Sequence, residues 1–353
     1  MRLNTGRLLN GYVAKTRERR QRFLVALLRA TPVAALFVTL GPAAQAQDTA
    51  GRAVEPILPV TAVTSGNPGP TVAFVAGVHG GKVAAIRALE QLRQRLPGRL
   101  VRGRVLLVSP ANLAGYTAGL AQISPDDSLN LNRVFPGRAD GRRTERLAAK
   151  IMRDIVAQSD YLVDLHGSDG DEAVGRFAYA ARPGLTPRVD SAAKALAEAW
   201  GTAVIVWDEA GPRTLAESRF LQTAAHLSGV PAITVFEAGA TREDSAATAA
   251  FIAGAERALR ALGMLDGEPA RSVAPLLLAR RAVVTAQTDG AWRPATTPGV
   301  RLAPGEPAGW LRSSSGVEVA VPVPDGGLVL HLRKAGPLRA GTPLVITGIS
   351  PTP

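Results

Sequence analysis

Along the middle of the chain, short apolar runs alternate with amphipathic stretches. Residues 72–78 (VAFVAGV) read as a buried strand bounded by Pro70 and a glycine-rich turn. Over residues 82–96, Val83, Ala85, Ile86, Leu89 and Leu92 fall on one helical stripe. The same reading predicts strands at 104–109, 160–165 (DYLVDL), 203–207 and 232–236 (AITVF), and helices at 144–158, 215–227 and 246–262. Leu147, Ile151 and Ile155 give the first of these helices its apolar face. Such alternation predicts an α/β sheet with helices on its faces. From about residue 272 the pattern changes to short strands (RAVVTAQ, VEVAVPVP, GLVLHLR, PLVITG) divided by Gly and Pro turns, which reads as a small all-β barrel.

The candidate chemistry gathers where these strands end. His79 lies in GVHGGK, directly after the first strand, and His166 follows DYLVDL. Between them runs the polar segment SPDDSLNLNRVFPG, residues 124–137. Glu237, Ala238 and Gly239 follow AITVF. The carboxyl ends of strands are where α/β sheets build their sites. His331 falls within a strand of the β-rich part and reads as structural.

These segments resemble the succinylglutamate desuccinylase and aspartoacylase family of the zinc carboxypeptidase superfamily, from about Thr71 to the C-terminus. GVHGGK is similar to the family's G-x-H-G-x-E. SPDDSLNLNRVFPG resembles its P-x-D-x-x-N-L-N-R-x-F-P-G through Pro125, Asp127, Asn130, Leu131, Asn132, Arg133, Phe135, Pro136 and Gly137. Thr144-Glu145-Arg146, Asp164-Leu165-His166 and the E-x-G at Glu237 follow in order. The resemblance implies a zinc-carboxypeptidase-like mixed sheet flanked by helices, followed by a barrel-sandwich domain. It also implies one zinc ion held by His79 and His166, with Glu237 as general base. Arg133 would grip a substrate carboxylate, its planar fork meeting both oxygens, and Asn132 would add neutral hydrogen bonds.

Two positions depart from the family. Lys82 stands where the zinc-binding glutamate belongs, and a charged ammonium has no lone pair to donate. Gln122 stands where an arginine polarises the scissile carbonyl, and it donates hydrogen bonds without charge. A catalytic zinc takes three protein ligands, so Asp169, Asp171 and Glu172 are candidates for the third, although a solvated loop is the plainer reading for at least two of them. Asp164 is a candidate partner for His166 from behind. The spacing from Thr234 to Glu237 is one residue longer than the family's T-x-E, which suggests a bulge.

Composition adds a destination. The first 46 residues carry eight basic side chains against Glu18, then an apolar run at 30–40 and Ala44-Gln45-Ala46. This pattern is a cleavable signal peptide, too short in its apolar part to span a bilayer comfortably. Arg19-Arg20 raises the twin-arginine route, but Sec export fits better. The chain is therefore expected in the periplasm or secreted, without stable membrane insertion after cleavage. Removing the leader's +7 from the formal +12 leaves about +5, without a basic run or interleaved aromatics, so nucleic acid is not an expected partner. The chain has no cysteine, which excludes disulfides and thiolate zinc sites.

The expected organisation is a signal peptide at 1–46, an extended lead-in at 47–70, a carboxypeptidase-like catalytic domain at 71–271 and a small all-β domain at 272–353. The function the resemblance implies is zinc-dependent cleavage of an amide in a small carboxylate-bearing substrate, an N-acyl amino acid or short peptide. The alternative is a metal-free small-molecule binding protein on the same fold.

Overall fold

The computed structural model describes residues 55–168, 170–238, 245–269 and 274–351. The expected signal peptide and the start of the expected lead-in lie outside these residues, as do Asp169 and Gly239. Among the described residues, no helix is long and apolar enough to cross a membrane.

The larger, N-terminal part is built from β1 (Val60–Thr64), β2 (Thr71–Ala76), α1 (Val83–Arg95), β3 (Arg104–Val108), α2 (Leu113–Thr117), α3 (Arg143–Asp154), β4 (Tyr161–Gly167) and β5 (Glu172–Val174). It continues with β6 (Phe177–Ala181), α4 (Pro187–Trp200), β7 (Val204–Asp208), α5 (Leu221–Leu227), β8 (Ala232–Glu237), α6 (Ser245–Ala261) and β9 (Leu276–Leu278). An eight-stranded sheet runs in the order β1-β3-β2-β4-β8-β6-β7-β9. Its centre, β3-β2-β4-β8, is parallel, while β1 joins β3 and β6 joins β8 in antiparallel fashion.

The central strands read as continuous apolar runs because both faces are covered. Val72, Phe74, Tyr161, Val163, Ile233 and Val235 pack under α1, α4 and α6. Ala73, Val75 and Leu162 face the other way, against Leu131, Phe135 and side chains of α3 and α5. Burying each large apolar side chain here contributes roughly 1.5–3 kcal/mol.

Three expectations about these elements need correction. The lead-in is not merely extended, because Val60–Thr64 pairs with β3 as the sheet's edge strand. The helix expected over 215–227 is interrupted: a 3-10 turn at Leu215–Glu217 ends at Ser218, and α5 begins only at Leu221. Ser218 and Phe220 are extended there, and the Leu221 N–H is received by the Asn132 side chain at 2.9 Å. The bulge expected before Glu237 is also absent, since β4 and β8 pair without a register shift from Leu162↔Ala232 to Gly167↔Glu237.

The C-terminal part carries β10 (Arg280–Thr285), β11 (Gly290–Pro294), β12 (Arg301–Leu302), β13 (Pro307–Ser313), β14 (Glu318–Pro322), β15 (Gly327–Arg333), β16 (Gly336–Leu338) and β17 (Pro343–Ile349). These form two antiparallel sheets around Ala286, Trp292, Leu311, Val329 and Leu344. The boundary drawn at 272 does not separate the two parts cleanly. β9 completes the large sheet beside β7, and β5 of the N-terminal part pairs with β15 of the C-terminal part. A second buried cluster, with Val174, Phe177, Val206, Leu278 and Leu330, joins them.

Candidate functional site

The chain leaves β2 through Gly77, whose φ of +74° favours glycine, and reaches His79 within the turn. Gly80 is held just as closely, since a Cβ there would lie 2.6 Å from the Tyr116 backbone nitrogen. The Lys82 N–H returns to the His79 carbonyl at 3.2 Å, and Lys82 stands directly before α1, buried. Gln122 is half-buried in the neighbouring loop, one residue beyond Ala121, whose carbonyl accepts the Gly81 N–H at 3.2 Å.

Residues of the 124–137 segment lock the histidines in place. Asp127 receives the Thr144 N–H at 2.8 Å and its hydroxyl at 2.6 Å, so it caps α3 and anchors the loop. Asn130 Oδ1 accepts the Asn132 N–H at 2.9 Å and lies 2.9 Å from His79 Nε2. Because that oxygen is an acceptor, His79 carries its proton on Nε2 and leaves Nδ1 with a lone pair. Asn132 accepts from Leu221 through Oδ1, so its Nδ2 faces His166 Nε2, at 3.5 Å, as a donor. The His166 proton then belongs on Nδ1, which lies 3.2 Å from Asp164 Oδ1, although the approach is off-line and neither atom finds another partner. The two imidazoles meet edge to face, with ring centroids 5.3 Å apart. Burial, followed by the neighbouring charges of His166 and Lys82, holds the pKa of His79 well below the usual imidazole range.

Arg133 donates Nη1–H to the Asn132 carbonyl at 2.9 Å, and its guanidinium lies over the Phe220 ring at 5.0 Å. The residue is exposed by area, yet desolvation around the guanidinium lowers its pKa, against the opposing pull of Glu172. His79, Asn132, Arg133 and His166 are thus brought into one connected face of loop and strand ends.

Glu237 is not brought to that face. In the unbroken β4–β8 register, His166 pairs with Phe236, and Glu237 falls on the opposite side of the sheet. Phe236 packs against His166 at 5.6 Å between centroids. Glu237 instead lines a small cavity with Lys82, Ala84, Gly167, Ala247 and Phe251, and its Oε2 meets Arg176 Nε at 2.9 Å. Burial raises its pKa despite Arg176 and Arg257.

Of the acids after His166, Asp169 lies outside the described residues. Asp171 is exposed and pairs with Arg333 at 3.2 Å. Glu172 turns inward and accepts from His331 Nδ1 at 3.0 Å. Desolvation would raise the Glu172 pKa, but the His331 hydrogen bond and the charge of Lys82 outweigh it and hold the carboxyl at about 2. His331 is therefore more than a core residue, and sequence reasoning missed it. Its ring packs edge-on against Phe177 and Phe236, and its Nε2 is buried without a partner.

A catalytic zinc needs three protein ligands, commonly two imidazoles and a carboxylate. Here Lys82 stands beside His79, and Glu172 is engaged by His331. Among the described residues, no group of three or more His, Cys, Asp or Glu side chains is placed to hold a metal ion. The donor set does not fit the zinc that the resemblance implies.

Comparison with known proteins agrees with the fold. The family model described as the succinylglutamate desuccinylase/aspartoacylase catalytic domain matches residues 68–262. N-alpha-acetyl-L-2,4-diaminobutyric acid deacetylase of Halomonas elongata is 44% identical over 110 residues, 31% of this chain and 32% of that protein, so the match spans about a third of the relative's length. A succinylglutamate desuccinylase/aspartoacylase from Rhodobacter sphaeroides has a similar structure, with TM-score 0.74, 21% identity, and coverage of 88% of this chain and 94% of that one. The product-bound ectoine utilization protein EutE (DoeB) of Ruegeria pomeroyi also gives TM-score 0.74, with 24% identity over 87% of this chain and 93% of that one.

Proposed function

We propose a function from the premise that this chain belongs to the succinylglutamate desuccinylase/aspartoacylase family and carries that enzyme family's catalytic domain: it takes up a small N-acyl amino acid in the periplasm. The observation that carries this reading is the single face formed by His79, Asn132, Arg133 and His166. Arg133 meets the ligand's carboxylate, and its position against Phe220 leaves the guanidinium partly desolvated, which strengthens a charge-assisted pair. Asn132 and Gln122 serve the amide. The partial match to a deacetylase of an N-acetylated diamino acid supports this class of ligand. The leader pattern at 1–46 supports export.

Hydrolysis of the amide is a second reading, favoured by family membership and by the paired imidazoles at the strand ends. In it, His79 and His166 hold zinc and Glu237 supplies the base. No step is drawn through zinc, because the donors on this face do not suit it.

Calorimetric titration with N-acetyl-2,4-diaminobutyrate and N-succinylglutamate, beside analogues esterified at the carboxylate, tests both readings. The acids bind and the esters do not if Arg133 recognises the carboxylate. Release of free amine over hours adds hydrolysis, and silence toward all four compounds sinks the proposal.

A further inference from the structure

The departure at Lys82 and the arrival of His331 from the C-terminal part converge on one side chain, Glu172. Lys82 is buried beside His79 at the start of α1, where the resembling family places a carboxylate ligand. Its ammonium acts electrostatically on both His79 and Glu172. Glu172, brought in by the β5–β15 pairing, is fastened by His331 Nδ1 at 3.0 Å. On the far side of His166, the register presents Phe236 and not a carboxylate. A buried charge must be compensated, and Glu172, turned inward by the β5–β15 pairing and held by His331, is a carboxylate on which the Lys82 charge acts.

We propose that the Lys82 ammonium is the resident cation of this site, neutralised by the Glu172–His331 pair, and that the chain binds no zinc at His79 and His166. A dication brought to the two imidazoles would face an ammonium in place of its third ligand, with repulsion where attraction is required. Glu172 would have to abandon His331 to reach it, and Asp164 lies at the Nδ1 of His166, behind the ring. In this arrangement the free Nδ1 lone pair of His79 receives an N–H or O–H of the ligand, and no metal holds its carbonyl. The inference rests on the proposed ligand recognition and deepens it, because it names what stands in the metal's place.

The test uses the full chain, purified after zinc loading and gel filtration, with zinc counted by elemental analysis. The wild type is expected to retain only sub-stoichiometric zinc and to show no rise in Tm when zinc is added. Lys82→Glu, which restores the family's ligand, is expected to hold about one zinc per chain and to lose it with His79→Ala. Stoichiometric zinc in the wild type that His79→Ala removes would overturn the proposal, as would a folded Lys82→Glu chain that takes up none. A second measurement does not depend on that variant folding. Lys82→Met should lower Tm by stranding the Glu172 charge, and Lys82→Met with Glu172→Gln should recover most of the loss. Additive losses in that double variant would show that the two side chains are uncoupled. Binding of N-acetyl-2,4-diaminobutyrate, measured with a chelator present, separates this inference from the functional reading: failure to bind strikes the latter alone.

Discussion

His331 donates its Nδ1–H to Glu172 at 3.0 Å, joining two residues that lie 159 positions apart in the chain. The bond links the C-terminal β unit to the site through strands β5 and β15, and it fixes the only described acid of the 169–172 loop that turns inward. Replacing His331 by Phe keeps an aromatic ring against Phe177 and Phe236 but removes the donor. The expected loss is about 1–3 kcal/mol of unfolding free energy, the cost of leaving a carboxylate short of a partner. Glu172→Gln should cost more, because it removes the charge that faces the buried Lys82 ammonium as well as the bond to His331. Urea midpoints for the two variants decide the order, and a smaller loss for the glutamine variant would show that Lys82 does not depend on the Glu172 charge.

Acid should weaken the fold in two stages. His79 and His331 both have lowered pKa values, so below the ordinary 6.5 the unfolded chain takes up protons that the folded chain refuses, and stability falls. Glu172 is held at about 2 against an ordinary 4.5. Its contribution is therefore complete above pH 4.5 and is lost as the pH falls toward 2, on the order of 2 kcal/mol after allowing for partial exposure. Unfolding midpoints measured from pH 8 downward check the sign. A midpoint that rises on acidification from 6.5 would contradict this account.

Arg133→Lys keeps the charge and loses the fork. Affinity for an N-acyl amino acid should fall by about 1–2 kcal/mol, while any residual binding of the matching ester should be unchanged. Calorimetry on the two ligands separates carboxylate recognition from a general effect on the loop. Equal losses for acid and ester would mean that Arg133 serves the fold through Asn132 and Phe220.

Glu237→Gln tests which side of the sheet matters. The carboxylate pairs with Arg176 away from His166, so the substitution should leave ligand affinity within about twofold and act instead on stability, by about 0.5–2 kcal/mol. If the wild type hydrolyses an N-acyl amino acid and this variant loses about 10²-fold or more in turnover, the range of general acid–base catalysis, then Glu237 does reach the substrate.

How much of this was legible in the sequence depends on the range of the physics involved. The central strands are apolar on both faces, so 72–78, 160–165 and 232–236 announce themselves within a residue or two of Thr71–Ala76, Tyr161–Gly167 and Ala232–Glu237. The asparagine-rich loop was legible only through its resemblance to a family motif, since Asn130 and Asn132 meet His79, His166 and Leu221, which lie 51, 34 and 89 residues away. Parity was not: whether Phe236 or Glu237 shares a face with His166 turns on a single residue of register. The split of α5 from the turn before it depends on Asn132 capping Leu221 from 89 residues away. The Glu172–His331 bond rests on a strand pairing between distant segments, for which no local pattern exists.

The pairing of β5 with β15, and of β9 with β7, bears on how the chain can be divided. A fragment ending near residue 271 would keep every motif of its family and still present two bare strand edges. Rows of unpaired N–H and C=O groups recruit strands from other chains, so such a fragment would associate with itself. The catalytic segment is defined by its sequence family, but two of its strand edges are covered by the residues that follow.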